Sequence, residues 1–184
     1  MSNPHDPRAI ANLMLDEAHV RGIKISNLAL QKLLYFAHGI YLLRTEGQPL
    51  VSGYFEAWQF GPVHPAVYRA FKGAGSDAIE IRAVAKDPLT GKTRELPMPT
   101  DEDVKELIAE VVWRYGKLSP ARLVDLSHAK GSPWDVIVDK GRTKVAFGMR
   151  IPDSVIRDRF QHHKVSVDAS ARAGEPPSDD TPFA

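Results

Sequence analysis

Apolar residues recur at helical spacing through much of the chain, most sharply between residues 101 and 116. Val104, Leu107, Ile108, Val111, Val112 and Tyr115 form the single stripe that an amphipathic helix turns toward a core. Thr100 and Asp103 give this segment a start that resembles a capping box. A first helix is expected from Asp6-Pro7, a cap residue followed by proline at the one helical position that needs no N–H. Ile10, Leu13, Met14 and Ala18 share its inner face, and it stops near Gly22. A second helix is expected from Ser26 or Asn27 to about Arg44. Its apolar set runs from Leu28 through Leu33, Phe36 and Ile40 to Leu43 and is wider than one stripe, which predicts a central helix covered on several sides.

The pattern changes beyond Gly47 and Pro49. The segment from Tyr54 to Val63 is short, aromatic and closed by Gly61-Pro62, which suits a strand or extended segment ending in a turn. A short helix follows from about Pro65 to Phe71, closed by Gly73 and Gly75. Residues 79–85 alternate and face Thr93 to Leu96 across a glycine-containing turn, predicting a β-hairpin. Ser119-Pro120 and Ser132-Pro133 each open a helix, and a last one is expected from about Pro152 to His163. The fold class that results is α+β and mainly α. It is a compact domain of six to seven helices with a small inserted β element, a strand near 54–60 and a hairpin near 79–96.

Composition narrows the function classes. With 43% apolar and 26% charged residues, 184 residues suffice for one soluble domain with one core. No apolar run reaches the ~18–20 residues that span a bilayer. The first six residues lack the basic and apolar regions of a signal peptide, so the cytoplasm is the expected compartment. The absence of cysteine excludes disulfides, thiolate zinc sites and a cysteine nucleophile. A net charge of +1 provides no general attraction to nucleic acid. Residues 166–184 carry Asp168, Glu175, Asp179 and Asp180 against Arg172 alone, with hardly any large apolar side chains. They read as a disordered acidic tail attached to a domain spanning residues 1–165.

Seven histidines invite a search for metal or acid–base chemistry. No H-E-x-x-H motif occurs, and His162 and His163 are neighbours whose side chains diverge on a helix, so no metal or cofactor is expected. His38, deep in the apolar second helix, reads as a core histidine bonded to a carbonyl, with a functional role as its competitor. No nucleophile elbow, P-loop or dinucleotide-binding motif is present, and no catalytic residue is assigned. The enzymatic alternative is a small hydrolase or transferase using Glu56 with His38 or His128, although Glu56 serves equally well as the partner of an arginine or as a helix cap.

The unusual constellation is aromatic. Tyr54, Phe55, Trp58 and Phe60 crowd into seven residues before Gly61-Pro62-Val63. Strand periodicity puts Tyr54, Glu56, Trp58 and Phe60 on one face, and Phe55 and Ala57 on the other. One face must meet the core. The other is either a second packing surface or a partner site, where Trp and Tyr are the usual anchors. Trp134, opening a helix after a tight turn, reads as a packing clip, while His128 is open to either role. Residues 119–139 also allow a helix-turn-helix reading with residues 140–144 as a basic wing. A recognition helix needs exposed Arg, Lys, Asn or Gln, whereas Pro133 to Val138 offers an acid and apolar residues. A DNA-binding autoregulator is therefore the weaker alternative.

Several blocks together resemble a known family. Leu30-Gln-Lys-Leu-Leu-Tyr35-Phe-Ala-His38, Gly47-x-Pro-Leu50, Phe55-Glu-Ala-Trp58-Gln-Phe60-Gly61-Pro62-Val63, Pro65-x-x-Tyr68, Leu126-Ser-His128 and Pro133-Trp134 are similar to the SocA-like antitoxin domain, also called Panacea. The similarity covers roughly residues 7–160, and the first and third blocks in this order carry most of its specificity. It implies a toxin-neutralising protein, not an enzyme, whose partner is a cognate, SocB-like toxin. It further implies a proteolytic adaptor that delivers the toxin to ClpX of the ClpXP protease. Tyr35, His38, Glu56, Trp58, Phe60, Gly61, Pro62, Val63, Tyr68, His128 and Trp134 become the candidate partner-binding or motif residues.

Overall fold

The helix α2 (Asn27–Arg44) occupies the centre because almost none of its surface suits water. Every residue from Leu30 to Ile40 is buried in the computed structural model, which describes residues 3–141 and 149–163. Around α2 pack α1 (Pro7–Val20), α3 (Pro65–Phe71), α4 (Glu102–Tyr115), α5 (Pro120–Ser127) and α7 (Asp153–Arg159), while α6 (Pro133–Gly141) rests on α7. The fold is mainly α with small β elements, as the periodicity predicts. The tail over 166–184 and residues 142–144 of the basic loop lie outside the described residues.

The helix starts follow from their caps. Asp6 accepts from Arg8 N–H at 2.9 Å with Pro7 in the first turn, and Ser119 accepts from Arg122 N–H at 3.2 Å. At α4 the cap is Asp101, not Thr100; its carboxylate accepts from Asp103 N–H at 3.1 Å. A carboxylate at this position gains from the helix dipole as well as from the hydrogen bond. The last helix ends at Arg159 and tightens into a 3-10 turn, Phe160–His163. Gly39, in the middle of α2, admits the Phe160 ring, into which any Cβ at that position would run.

Two small antiparallel sheets complete the domain among the described residues. The first, in the order β2-β1-β5, joins β1 (Phe55–Trp58) to β2 (Gly61–Val63) and to β5 (Met149–Ile151), with Trp58 opposite Gly61 and Phe55 opposite Ile151. The periodicity does not predict β5, because three residues are too few to show one. The second sheet pairs β3 (Val84–Lys86) with β4 (Thr93–Glu95), a shorter hairpin than the alternation over 79–96 predicts. Residues before it are taken by other partners: Ile79 N–H donates to Ile25 O, and Asn12 of α1 grips Ala83. The Asn12 amide donates to Ala83 O at 2.9 Å and accepts from Ala83 N–H at 2.8 Å, so a helix side chain replaces a neighbouring strand. Asn12→Ala leaves both buried backbone groups unpaired. A loss of about 1–3 kcal/mol is expected in urea unfolding, with earlier proteolysis between residues 80 and 96.

Candidate functional site

The two faces of β1 differ as strand geometry requires. Phe55 and Ala57 are fully buried, whereas Tyr54 is 42% and Phe60 58% exposed, with Glu56 and Trp58 half-buried between them. The smaller face thus enters the core, and the richer aromatic face looks out. Gln59 and Phe60 form the two-residue turn between β1 and β2, placing Phe60 at the hairpin tip. The half-buried Tyr68 of α3 supports the Trp58 ring, with centroids 4.8 Å apart. Arg150 lies over Tyr54, 5.2 Å from the ring centroid, and Met149 beside it is 39% exposed.

Glu56 accepts from Trp58 Nε1–H at 2.7 Å, which orients the indole. Neither an arginine partner nor a helix cap is its role. His38 lies behind the opposite face of β1, its ring 5.2 Å from the inward Phe55 and its Nε2 3.3 Å from the Asp153 carboxylate. Its partner is thus a carboxylate, where a carbonyl is expected from the sequence. Since Glu56 and His38 occupy opposite sides of the strand, the structure does not assemble that acid–histidine pair. No hydrogen bond joins Glu56 to His128 among the described residues. No group of three His, Asp or Glu side chains suited to a metal occurs among these residues either.

The tip is held from beneath by side chains that cross the core. Lys32 Nζ on α2 donates to Pro62 O at 2.9 Å, and Trp134 Nε1–H on α6 donates to Trp58 O at 2.8 Å. Gln31 accepts from His64 N–H at 2.9 Å, and its own amide donates to Asn27 Oδ1 at 3.0 Å. His64 Nε2–H in turn donates to Ser52 O at 2.9 Å, so burial, which lowers its pKa, leaves a neutral ring with a defined tautomer. Gly61 sits at φ +96°, and a Cβ there would overlap Ser127 Oγ and lie 2.8 Å from Lys32 Cε. Backbone and space both demand glycine at this point. Pro62 and Val63 are buried and belong to the support of the hairpin.

Burial sets the electrostatics here. Lys32 is fully buried, and desolvation brings its amine down to about 7. His128 stacks on Trp134 with centroids 3.7 Å apart and planes 13° apart. Desolvation, reinforced by Lys32, lowers His128 to about 4, so it is neutral at pH 7. Tyr35 lies away from this face, wholly buried, and its hydroxyl donates to His163 Nε2 at 2.9 Å. His163 Nδ1–H must donate to Leu126 O at 2.9 Å because a carbonyl only accepts, and this fixes Nε2 as the acceptor. Burial lowers His163 to about 4 as well.

The structure therefore brings Glu56, Trp58, Phe60, Gly61, Pro62, Tyr68, His128 and Trp134 to one hairpin, and takes Tyr35 and His38 into the interior. Sequence reasoning misses Lys32, Gln31, Ser127 and His163. The available signal for the first two is a polar pair inside an otherwise apolar helical run, where burial makes every polar side chain a commitment.

The model of the family described as "Antitoxin SocA-like, Panacea domain" matches residues 30–135, the stretch from α2 to the start of α6. The chain is 51% identical to "Antitoxin SocA" of Caulobacter vibrioides (strain NA1000 / CB15N) over 170 residues, covering 92% of this chain and 90% of the relative. No solved structure matches the chain significantly. With an aligned relative along nearly its whole length and the family's domain across its central half, this chain belongs to the SocA-like antitoxin family defined by the Panacea domain.

Proposed function

We propose that the protein neutralises a cognate toxin by gripping it on the outer aromatic face of the β1–β2 hairpin, and that it acts in the cytoplasm as an adaptor delivering the toxin to ClpXP. The observation that carries this reading is the exposure of Phe60 and Tyr54 on a hairpin whose backbone is bonded to the core by Lys32 and Trp134. A rigid tip loses little conformational freedom on docking, so its apolar area converts more fully into affinity. Each large side chain buried in the complex contributes roughly 1.5–3 kcal/mol, enough for a few anchors to dominate an interface of ~800 Å² per partner. Membership of an antitoxin family supplies the partner class.

The toxin to test is the product of the reading frame beside this one. Phe60→Ala combined with Trp58→Ala should weaken the complex about thirtyfold or more, while the circular dichroism spectrum stays that of the parent. Undiminished affinity in a folded double variant refutes the docking face. For the adaptor role, purified ClpXP should degrade the toxin only when this protein is added. Holding substrate and protease on one scaffold raises their mutual concentration to roughly millimolar for a short link. Removing residues 166–184 should slow degradation and leave toxin binding intact. Loss of binding on that deletion would show that the two contacts are not divided in this way.

A further inference from the structure

Glu56 on β1 and Arg150 on β5 stand directly opposite each other, an acid and a base in cross-strand register. Such partners carry Cβ atoms about 5 Å apart on one face of a sheet, close enough for an ion pair. The two side chains instead turn away from each other along β1. The Glu56 carboxylate accepts from Trp58 Nε1–H at 2.7 Å. Arg150 swings toward the other end of the strand, where its guanidinium carbon lies 5.2 Å from the centroid of the Tyr54 ring. No carboxylate or carbonyl bonds that guanidinium among the described residues. Arg150, Tyr54 and Met149 are all exposed, and β5 is the edge strand of the sheet that carries the docking face. The cation therefore sits on open surface continuous with that face.

A sheet built for stability alone would join the two charges, since opposite charges in register strengthen a strand pair. Here the indole occupies the nearest acid, and the phenol ring holds the base. A guanidinium held over an aromatic face keeps its N–H edges open to a second molecule. Resting on the docking reading above, we propose that Arg150 receives one carboxylate of the bound toxin, an aspartate or glutamate side chain adjoining the apolar residues that meet Phe60 and Trp58. The planar fork matches the two oxygens of a carboxylate, and such charge-assisted pairs are the strong ones. A toxin that covers Tyr54 and Met149 also removes water from the pair, which strengthens it further. Glu56 repels a second anion, so one carboxylate in one register is accepted. A phosphate backbone fits less well, because it is tracked by several cations, and β1, β2 and β5 hold Arg150 alone.

A double-mutant cycle with the toxin from the adjacent reading frame tests this site. Each aspartate and glutamate of the toxin is changed in turn to Asn or Gln, and Kd is measured against the parent and against Arg150→Gln. One such change should weaken binding to the parent about tenfold and leave binding to Arg150→Gln unchanged. A toxin variant that binds Arg150→Gln as the unaltered toxin does is folded, which provides the control. Arg150→Gln should itself cost about tenfold in affinity, and Arg150→Lys should recover part of it, since an ammonium keeps the charge without the fork. Undiminished affinity in Arg150→Gln, or a loss coupled to no toxin carboxylate, overturns the proposal; the second result would mean that Arg150 only props the Tyr54 ring. The docking face stands in either case if Phe60→Ala with Trp58→Ala still weakens the complex. A toxin that does not bind the parent removes both readings. Loss of a promoter-DNA gel shift in Arg150→Gln, with toxin affinity unchanged, would identify a phosphate as the ligand and overturn the carboxylate site as well.

Discussion

Lys32→Met is expected to make the free protein more stable below pH 7 and less stable in strong alkali, so that the stability curves of variant and parent cross. In the unfolded chain the amine titrates near its ordinary value of 10.5, and in the folded protein near 7. Between those values the unfolded state holds the proton and the folded state does not. Folding stability of the parent therefore rises with pH across that window, by a few kcal/mol in total, and the full cost of the buried charge is present below pH 7. The variant lacks that slope. It also leaves the Pro62 carbonyl without its donor, a loss of about 1–3 kcal/mol at every pH. Below pH 7 the removed charge outweighs the lost bond, and near pH 10.5 the lost bond is all that remains. Urea unfolding of both proteins from pH 6 to pH 10.5 measures the two curves. Parallel curves, with the variant lower throughout, would mean that Lys32 is solvated or paired in the folded protein.

Phe160→Ala is expected to cost about 3–5 kcal/mol, the range for removing a phenyl ring from a packed core. The ring is fully buried in the notch that Gly39 leaves on α2, with Tyr35 at 6.1 Å and His163 at 5.1 Å between centroids. Nothing beside that notch can fill it, since Gly39 contributes no side chain and Tyr35 is held by its bond to His163. Relaxation of the cavity is correspondingly small. For a domain of this length the loss corresponds to a melting temperature lower by roughly 10 °C or more. Retention of the parent melting temperature would show that the 3-10 turn contributes nothing to the core. Thermal unfolding followed at 222 nm provides the measurement.

The helices were legible because their periodicity and caps are local properties. Asp6-Pro7, Ser119-Pro120 and the 104–115 stripe all act within a few residues of themselves. The partition of β1 into an inner and an outer face was equally local, since alternation assigns Phe55 and Ala57 to one side. What alternation does not decide is which side meets the core, and that depends on α2 lying beneath it. The unread features are tertiary. The hairpin is shortened because Asn12, some 70 residues earlier, takes the place of a strand on Ala83, a separation of 71. Lys32 passes as one more residue of a motif until its burial is seen, and β5 is visible only as the partner of β1. Glu56 and His38 form an attractive catalytic pair in one dimension, and strand geometry then puts a β-sheet between them.

The pairing of Phe55 with Ile151, and the bond from Tyr35 to a histidine 128 residues further on, also set the order of events on the ribosome. A nascent chain that has emerged only as far as α6 has every residue of the hairpin but neither its edge strand nor the plug behind α2. Loop closure over such distances comes late in folding, after local helices have formed. The proposed docking face is therefore completed only once β5 and the turn after α7 have emerged, and chains terminated at α6 are expected to carry the motif without its finished support.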